Sequence, residues 1–514
     1  MTAADRTADA PARAAWLPQG AVPRVVFVAL VALFVAANVV VIAESLTRAR
    51  LWEDEAFNLT VPLNLLAGLG YTSDGTLSGS VLTPFDVRIS TGPVVLLPVA
   101  AVLGLGADPV IGGRLVALVF WAALVAGLWI VGRGVAGPWG GLVAASVPLA
   151  LHLDQPPSPV QGPADILGEI PAAALVVWAV IAARSRPWLG GLLLGLAIQA
   201  KFIALLAVPA LTVLVFFAVA EQRFGARVRR VLPAAATALA PTVAFEVWKI
   251  IALDPAEYAA ATRRLAHFIV SGGQEGVRTD AAAKVAVLAD AWFVLWPIAV
   301  IVAVIAVAGA CLALVHVRRG AVDPLVQRDR LWPARDIALI TATSLVGAGT
   351  YVAWWLVSSH TPVWIRHPSP GLLAFAPLVA AVALLGWRAT LRGRGRPVRA
   401  TAVVGIAAVA AGIAASVGLH AAMALAAPDA LSAQRATAAA IADVPEVEQS
   451  DWLAVQWGTG VSIGLLTGRH IGLLDAGASV ETYPWMWTGE PREPCDELAR
   501  VDAHVVCAPP RAAD

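Results

Sequence analysis

Three adjacent carboxylates, Glu53, Asp54 and Glu55, open the stretch "EDEAFNLTVPLNLLAGLG". A carboxylate within hydrogen-bond reach of a hydroxyl can take its proton, which makes such a group a candidate general base. One acid at a helix N-terminus is explained by the helix dipole, worth roughly 0.3–1 kcal/mol. Three in a row repel one another, so capping alone does not account for them. A second acidic pair, Asp165 and Glu169, stands at i, i+4 in "GPADILGEIPAA". It reads either as helix-entry charge ahead of Pro171 or as a partner to the first cluster. The cations that could face these acids are few. Lys201 is alone in the apolar run "GLLLGLAIQAKFIALLAVPAL", where a charge is costly and usually functional, the plain alternative being a side chain that snorkels to the head groups. Arg366 and His367 in "WIRHPSPGLLAF" could grip an anion, or sit as interfacial residues beside Trp364.

The elements that must position these groups are membrane helices. Of the 514 residues, 59% are hydrophobic and 14% charged, where a soluble chain would carry about a quarter charged. The net charge of +1 gives no reason to expect a nucleic-acid partner. Lysine occurs only at Lys201, Lys249 and Lys284, and the Ala, Val, Gly and Arg bias suits a GC-rich bacterial genome. Apolar runs near the length needed to span fall at about 25–44, 110–131, 139–153, 168–183, 188–200, 202–220, 231–252, 291–317, 337–357, 370–387 and 401–425. The shorter run "GPVVLLPVAAVLGLG", Gly92–Gly106, carries two prolines. If it lies at the interface, Arg133, Arg184 with Arg186, and the runs Arg223–Arg230, Arg318–Arg330 and Arg388–Arg399 all fall on one side with the N-terminus. The positive-inside rule favours that arrangement. It predicts a polytopic all-α protein of about eleven transmembrane helices, N-terminus cytoplasmic and C-terminus outside. The first span reads as an uncleaved signal anchor.

On this topology the outer face holds the acid loop (45–109), the segment Leu151–Glu169, the loop 253–290, the segment Ser358–Pro370 and Lys201 at a tight turn. Ala56, Leu59, Leu63, Leu66 and Ala67 repeat at helical spacing, and Gly68 and Gly70 end the run, so the acids head a helix lying along the membrane surface. Residues 426–514 are less apolar and read as a small α/β domain: "DWLAVQWG" and "DAHVVCAPP" as strands, "ALSAQRATAAAIADV" and "EPCDELARV" as short helices. A tail outside the cytoplasm would permit a disulfide between Cys495 and Cys507. The aromatics of "ETYPWMWTGEP" suit either sugar stacking or interfacial anchoring. His152 near Asp154 is not a ligand-spaced metal cluster.

The order of these motifs resembles the polyprenol-dependent membrane glycosyltransferases of the GT-C superfamily, which includes protein O-mannosyltransferases and aminoarabinose transferases. There an Asp-Glu motif follows the first span, here Asp54 and Glu55. A second surface helix comes next, here within Gly92–Gly106, and then a span opening with Arg-Leu, here Arg114. A Gly-rich helix pair carries a Lys at its turn, here Lys201. The resemblance covers about 40–220 and implies four parts: a cytoplasmic tail (1–24), a catalytic module (25–220), a variable transmembrane module (221–425) and an extracytoplasmic domain (426–514). It implies an inverting transfer of sugar from a polyprenyl-phosphate donor to a hydroxyl on a glycan, lipid or protein acceptor at the outer face of the cytoplasmic membrane. By the same resemblance Asp54 is the general base, with Glu55 orienting it or binding sugar hydroxyls. Glu169 or Asp165 supplies the second acid. Many family members have Asp at that point, so Glu169 departs from the pattern. Glu53 is an additional substrate-binding candidate. Arg114, Lys201, Arg366 and His367 would serve the phosphate, Arg114 alternatively pairing with the acids. Some members use a divalent metal at their acids and others do not. The rival reading is a transporter or lipid flippase, for which one expects inverted repeats and charges at mid-depth. The sequence has no repeat, and Glu246 with Lys249 is its nearest approach to an intramembrane pair.

Overall fold

The computed structural model describes residues 17–18, 20–75, 79–151, 162–218, 223–271, 280–292, 296–319, 334–358, 366–391, 395–478, 482–491 and 494–509. His152, Asp154, Trp364 and most of the Arg318–Arg330 run lie outside them.

Each apolar run becomes helical. Helix α1 (Ala21–Thr47) leads into α2 (Glu53–Leu66), a two-stranded ladder of β1 (Thr72–Ser73) and β2 (Thr83–Pro84), and α3 (Pro93–Gly104). At 1.5 Å per residue, the 12 residues of α3 extend about 18 Å, short of a hydrocarbon core of about 30 Å. Next come α4 (Pro109–Ala150), α5 (Glu169–Ala183), α6 (Pro187–Ala200), a 3-10 turn (Phe202–Ala207) running into α7 (Val208–Phe217), and α8 (Phe224–Ala252). Then follow α9 (Pro255–Ser271), α10 (Ala281–Trp292), α11 (Trp296–Arg318), α12 (Ala334–Val357), α13 (Ser369–Thr390) and α14 (Arg396–Ala426). Seven helices among the described residues are long and apolar enough to cross a membrane. The expected spans at 168–183 and 188–200 give helices α5 and α6 of 15 and 14 residues, too short to cross alone. Helix α5 is enclosed by its neighbours almost throughout. The most buried long helix is α13, packed against α4, α5, α11 and α12.

Helix α4 contains two of the expected spans. The Asp108 carboxylate caps it, accepting from Val110 N and Ile111 N at 3.1 and 2.9 Å, and Pro109 takes the first helical position. The chain reverses at Ala136 and Gly137, the latter at φ 72°. Trp129 and Trp139 therefore meet the same ring, Phe27, at 6.2 and 5.1 Å. Gly132 and Gly140 lie so close across the reversal that a Cβ on either would strike the other's carbonyl. The Glu246–Lys249 pair, 2.9 Å apart near the end of α8, is local: Tyr258 of α9 donates to the same carboxylate at 3.3 Å.

The C-terminal part holds α15 (Ala430–Ala442), α16 (Pro445–Glu448), α17 (Thr459–Leu466) and five strands, β3 (Trp452–Val455), β4 (His470–Leu473), β5 (Trp485–Thr488), β6 (Asp496–Val501) and β7 (His504–Ala508). The sheet order is β4-β3-β5-β7-β6, the first three parallel and the last three antiparallel. "EPCDELARV" is thus a strand, not the expected helix. Its Glu, Leu, Ala and Arg favour a helix locally, but a two-residue turn with Asp502 at φ 52° pairs it to β7. The Cys495–Cys507 disulfide fastens the other end. Of the aromatics in "ETYPWMWTGEP", Trp485 is in the domain core and Tyr483 lies against Trp452.

This domain pins the acid-bearing helix. Gln434 of α15 accepts from Leu51 N (2.6 Å) and donates to Leu51 O (3.0 Å), fixing the link between α1 and α2. Asp74, in the loop after α2, accepts from Asn64 Nδ2 (2.8 Å), His470 Nδ1 (3.1 Å) and Ile471 N (2.9 Å), joining that loop to β4.

Candidate functional site

Helix α2 starts at Glu53, so the three acids occupy its first turn but point to three different fates. Glu55, at the third position, folds back to accept from Trp52 N at 3.2 Å, one half of a capping box. Its oxygens also receive Arg114 Nη2 (3.1 Å), Arg114 Nε (3.4 Å) and Ile166 N (3.3 Å). Arg114 spends its other donors on Ala49 O and Arg50 O at 2.9 and 2.8 Å. Both side chains are 2% exposed. Arg114 is ion-paired with the acid cluster through Glu55. A pair this buried, with its hydrogen bonds made, anchors the start of α2 to α4.

Glu53 turns the other way, toward Arg50 at 3.5 Å, whose guanidinium lies over the Trp52 ring. Burial pushes its carboxyl above the usual range, more than Arg50 lowers it.

Asp54 faces a different set of groups. Its Oδ2 accepts from Arg366 Nη1 at 2.7 Å and from Trp52 Nε1 at 3.2 Å, and the side chain keeps 22% of its surface exposed. Burial alone would raise its pKa, but Arg366, with Lys201 and the Trp52 indole, outweighs burial and holds the carboxyl below the usual carboxylate range.

Arg366 also reaches toward Glu169, with Nε 3.9 Å from Oε1. Glu169 is the first residue of α5, and its neighbour Gly168 sits at φ 82°, where a Cβ would press on Ala200 O, Lys201 and Thr91. Only a glycine lets the three chain segments converge there. Lys201 Nζ donates to Ser90 Oγ (2.7 Å) and Leu167 O (2.8 Å) and forms an ion pair with Glu169, 3.0 Å from Oε1. Both Glu169 carboxylate oxygens are buried and have no hydrogen-bond partner among the described residues, the Lys201 contact being an ion pair. Charges therefore alternate along one row: Asp54, Arg366, Glu169, Lys201.

Asp165 is buried nearby, close enough for its charge to act on Arg366. It lies in an irregular segment ahead of α5, so the expected helical i, i+4 relation to Glu169 does not form. The His367 ring sits beside those of Trp354 and Trp355. Sequence reading missed Trp52, Ser90 and Asn58. Asn58 donates to Thr91 Oγ1 (2.9 Å) and Ile166 O (2.7 Å), tying α2 to both loops. An amide four residues after Asp54, on a helix otherwise apolar at that point, was the available signal.

The acids do not fit a divalent ion. Asp54 is held by Arg366, Glu55 by Arg114 and Glu169 by Lys201. Among the described residues no three His, Cys, Asp or Glu side chains converge.

Compared by sequence, the chain matches no family profile and no curated relative. Compared by structure, it is similar to ArnT from Cupriavidus metallidurans. In the apo state the TM-score is 0.53 at 16% identity, covering 93% of this chain and 98% of that one. In the form bound to undecaprenyl phosphate the score is 0.53 at 13% identity, covering 94% and 98%. The chain therefore shares the fold of ArnT over nearly its whole length.

Proposed function

We propose that this protein is a membrane glycosyltransferase that moves a sugar from a polyprenyl-phosphate donor to an acceptor hydroxyl. The observation that carries the reading is the row of alternating charge at the start of α2, with Asp54 partly open and bound to Arg366. The fold supports it, since ArnT with the same fold was solved with undecaprenyl phosphate.

In this reading the donor's phosphate takes Arg366 from Asp54. Arg366 offers the phosphate a planar, charge-assisted grip, and Asp54, relieved of its cation, gains basicity. The acceptor hydroxyl then loses its proton to Asp54 as its oxygen bonds to the anomeric carbon. The bond from that carbon to the phosphate oxygen breaks, and the electron pair leaves with the polyprenyl phosphate. Attack opposite the leaving group inverts the anomeric configuration. Glu169, ion-paired with Lys201 and with both oxygens lacking a hydrogen-bond donor among the described residues, suits a sugar hydroxyl. Glu55 and Arg114 position the helix and do not touch substrate.

The catalytic module spans 25–220, a second transmembrane module 221–425, and the appended domain 426–514, with 1–24 cytoplasmic and the site on the outer face of the cytoplasmic membrane. An introduced cysteine at Gly489 should then react with impermeant reagents in whole cells. Lipid analysis of the purified protein tests the donor class. A co-purifying polyprenyl-phosphate sugar is expected; a complement of ordinary phospholipids alone, with no turnover of added polyprenyl-phosphate sugars, would overturn the reading.

A further inference from the structure

The appended domain has buried nearly all its large apolar side chains. Between residues 426 and 514, Trp457 is the one exposed large hydrophobic among the described residues, at 37%. It is not a loose surface residue. Its backbone N–H donates to Asp475 Oδ2 at 2.6 Å, and its ring rests on that of Phe57, centroids 5.8 Å apart. Phe57 is buried on α2 and follows Asp54 by three residues, so the two are neighbours on one side of the helix. Trp457 thus lies tilted against α2, on a residue one turn from the proposed base, and keeps part of its surface exposed. Polar groups stand nearby in the fold, with Asp475 at its backbone and Thr459 two positions on. Thr459 Oγ1 lies 3.4 Å from Thr488 Oγ1, which is 3.2 Å from His504 Nδ1.

We infer that Trp457 is a platform for a saccharide ring of the acceptor, so that the acceptor hydroxyl belongs to a glycan or glycolipid head group. The inference rests on the transferase reading and narrows it. A pyranose or furanose has an apolar C–H face that packs on an indole and an edge of hydroxyls that needs hydrogen-bond partners. A rigid aromatic face beside hydroxyls and a carboxylate meets both needs, with little ordering cost because the ring is already held. The aromatics of "ETYPWMWTGEP" are engaged elsewhere: Trp485 is in the core, Trp487 packs against it half-buried, and Tyr483 lies tilted against Trp452.

The test uses the full chain in nanodiscs and saturation-transfer NMR with maltotriose, mannotriose and cellotriose, beside a Ser/Thr-rich peptide. At least one trisaccharide should receive saturation, falling about tenfold in Trp457→Ala and recovering in Trp457→Phe. Polyprenyl-phosphate binding should be unchanged in both variants. Saturation of the peptide alone, of no probe, or of a sugar independently of Trp457 overturns the inference. If the chain transfers sugar to a glycan while Trp457→Ala leaves the acceptor KM unaltered, the platform is wrong and the transferase reading stands. If sugars bind through Trp457 and no transfer occurs, the transferase reading fails by itself.

Discussion

Asp54 and Arg366 are 312 residues apart in the chain and 2.7 Å apart in the fold. The contact neutralises the candidate base, and in the proposed reaction the donor phosphate would compete for the guanidinium. A carboxylate with a depressed pKa is ionised but weakly basic. It becomes an effective base when its cation is drawn away.

This relationship fixes a pH profile. With Arg366 in place, the Asp54 carboxyl titrates below the ordinary carboxylate value of about 3.9. The acid limb of kcat/KM, which reports the free enzyme, should lie below that value. In Arg366→Gln the burial remains and the attraction is lost, so the limb should move up, with a raised KM for donor. An acid limb unmoved by Arg366→Gln would show that the two side chains do not share the titration.

The Arg114–Glu55 pair should govern stability rather than chemistry. Removing one partner leaves a buried charge alone, at a cost of about 3–5 kcal/mol. Arg114→Met should lower the thermal midpoint sharply, and Arg114→Met combined with Glu55→Leu should recover much of the loss. Simple additivity of the two single effects would contradict a direct pairing.

Docking of the appended domain should depend on pH through His470. Its Nδ1 lies 3.1 Å from Asp74, its ring lies tilted against that of Trp452, and Asp451 adds a second negative charge. The hydrogen bond to Asp74 raises its pKa, more than burial lowers it. A raised folded-state pKa gives stability that is full below the ordinary value near 6.5 and is lost as pH rises through the elevated one. Protection factors at β4 and β1, taken relative to the intrinsic base-catalysed exchange rate, should fall from pH 6 to pH 9, and His470→Asn should flatten that dependence.

The disulfide should matter most at the edge of the sheet. Cys495 and Cys507 close a loop of 12 residues, for which chain entropy gives about 3 kcal/mol. Reduction should loosen β6 first, detected as faster exchange at Asp496–Val501, while α2 keeps its protection.

Some of this was legible in the sequence and some was not, for physical reasons. Apolar runs announce helices in lipid because no other segment satisfies its own backbone there. The acid cluster was legible as unusual, since like charges seldom adjoin without cause. Which acid does what was not. Asp54 and Glu55 are adjacent in sequence but diverge by about 100° around the helix, one to Arg366 and one to Arg114. Those partners come from distant helices and only the fold brings them in. Strand β6 was misread because local propensity favours a helix while pairing with β7 decides the outcome. Trp457 was read only as part of a strand, for the same reason: its partner Phe57 is four hundred positions away.

The most direct measurement is the rate of sugar transfer by purified Asp54→Asn in nanodiscs, with a polyprenyl-phosphate sugar supplied as donor. Asparagine keeps the size and a hydrogen-bond acceptor but cannot take the proton. The account predicts a fall of about a hundredfold or more, with donor binding and the thermal midpoint close to those of the parent chain. Transfer by Asp54→Asn at the parent rate would contradict it.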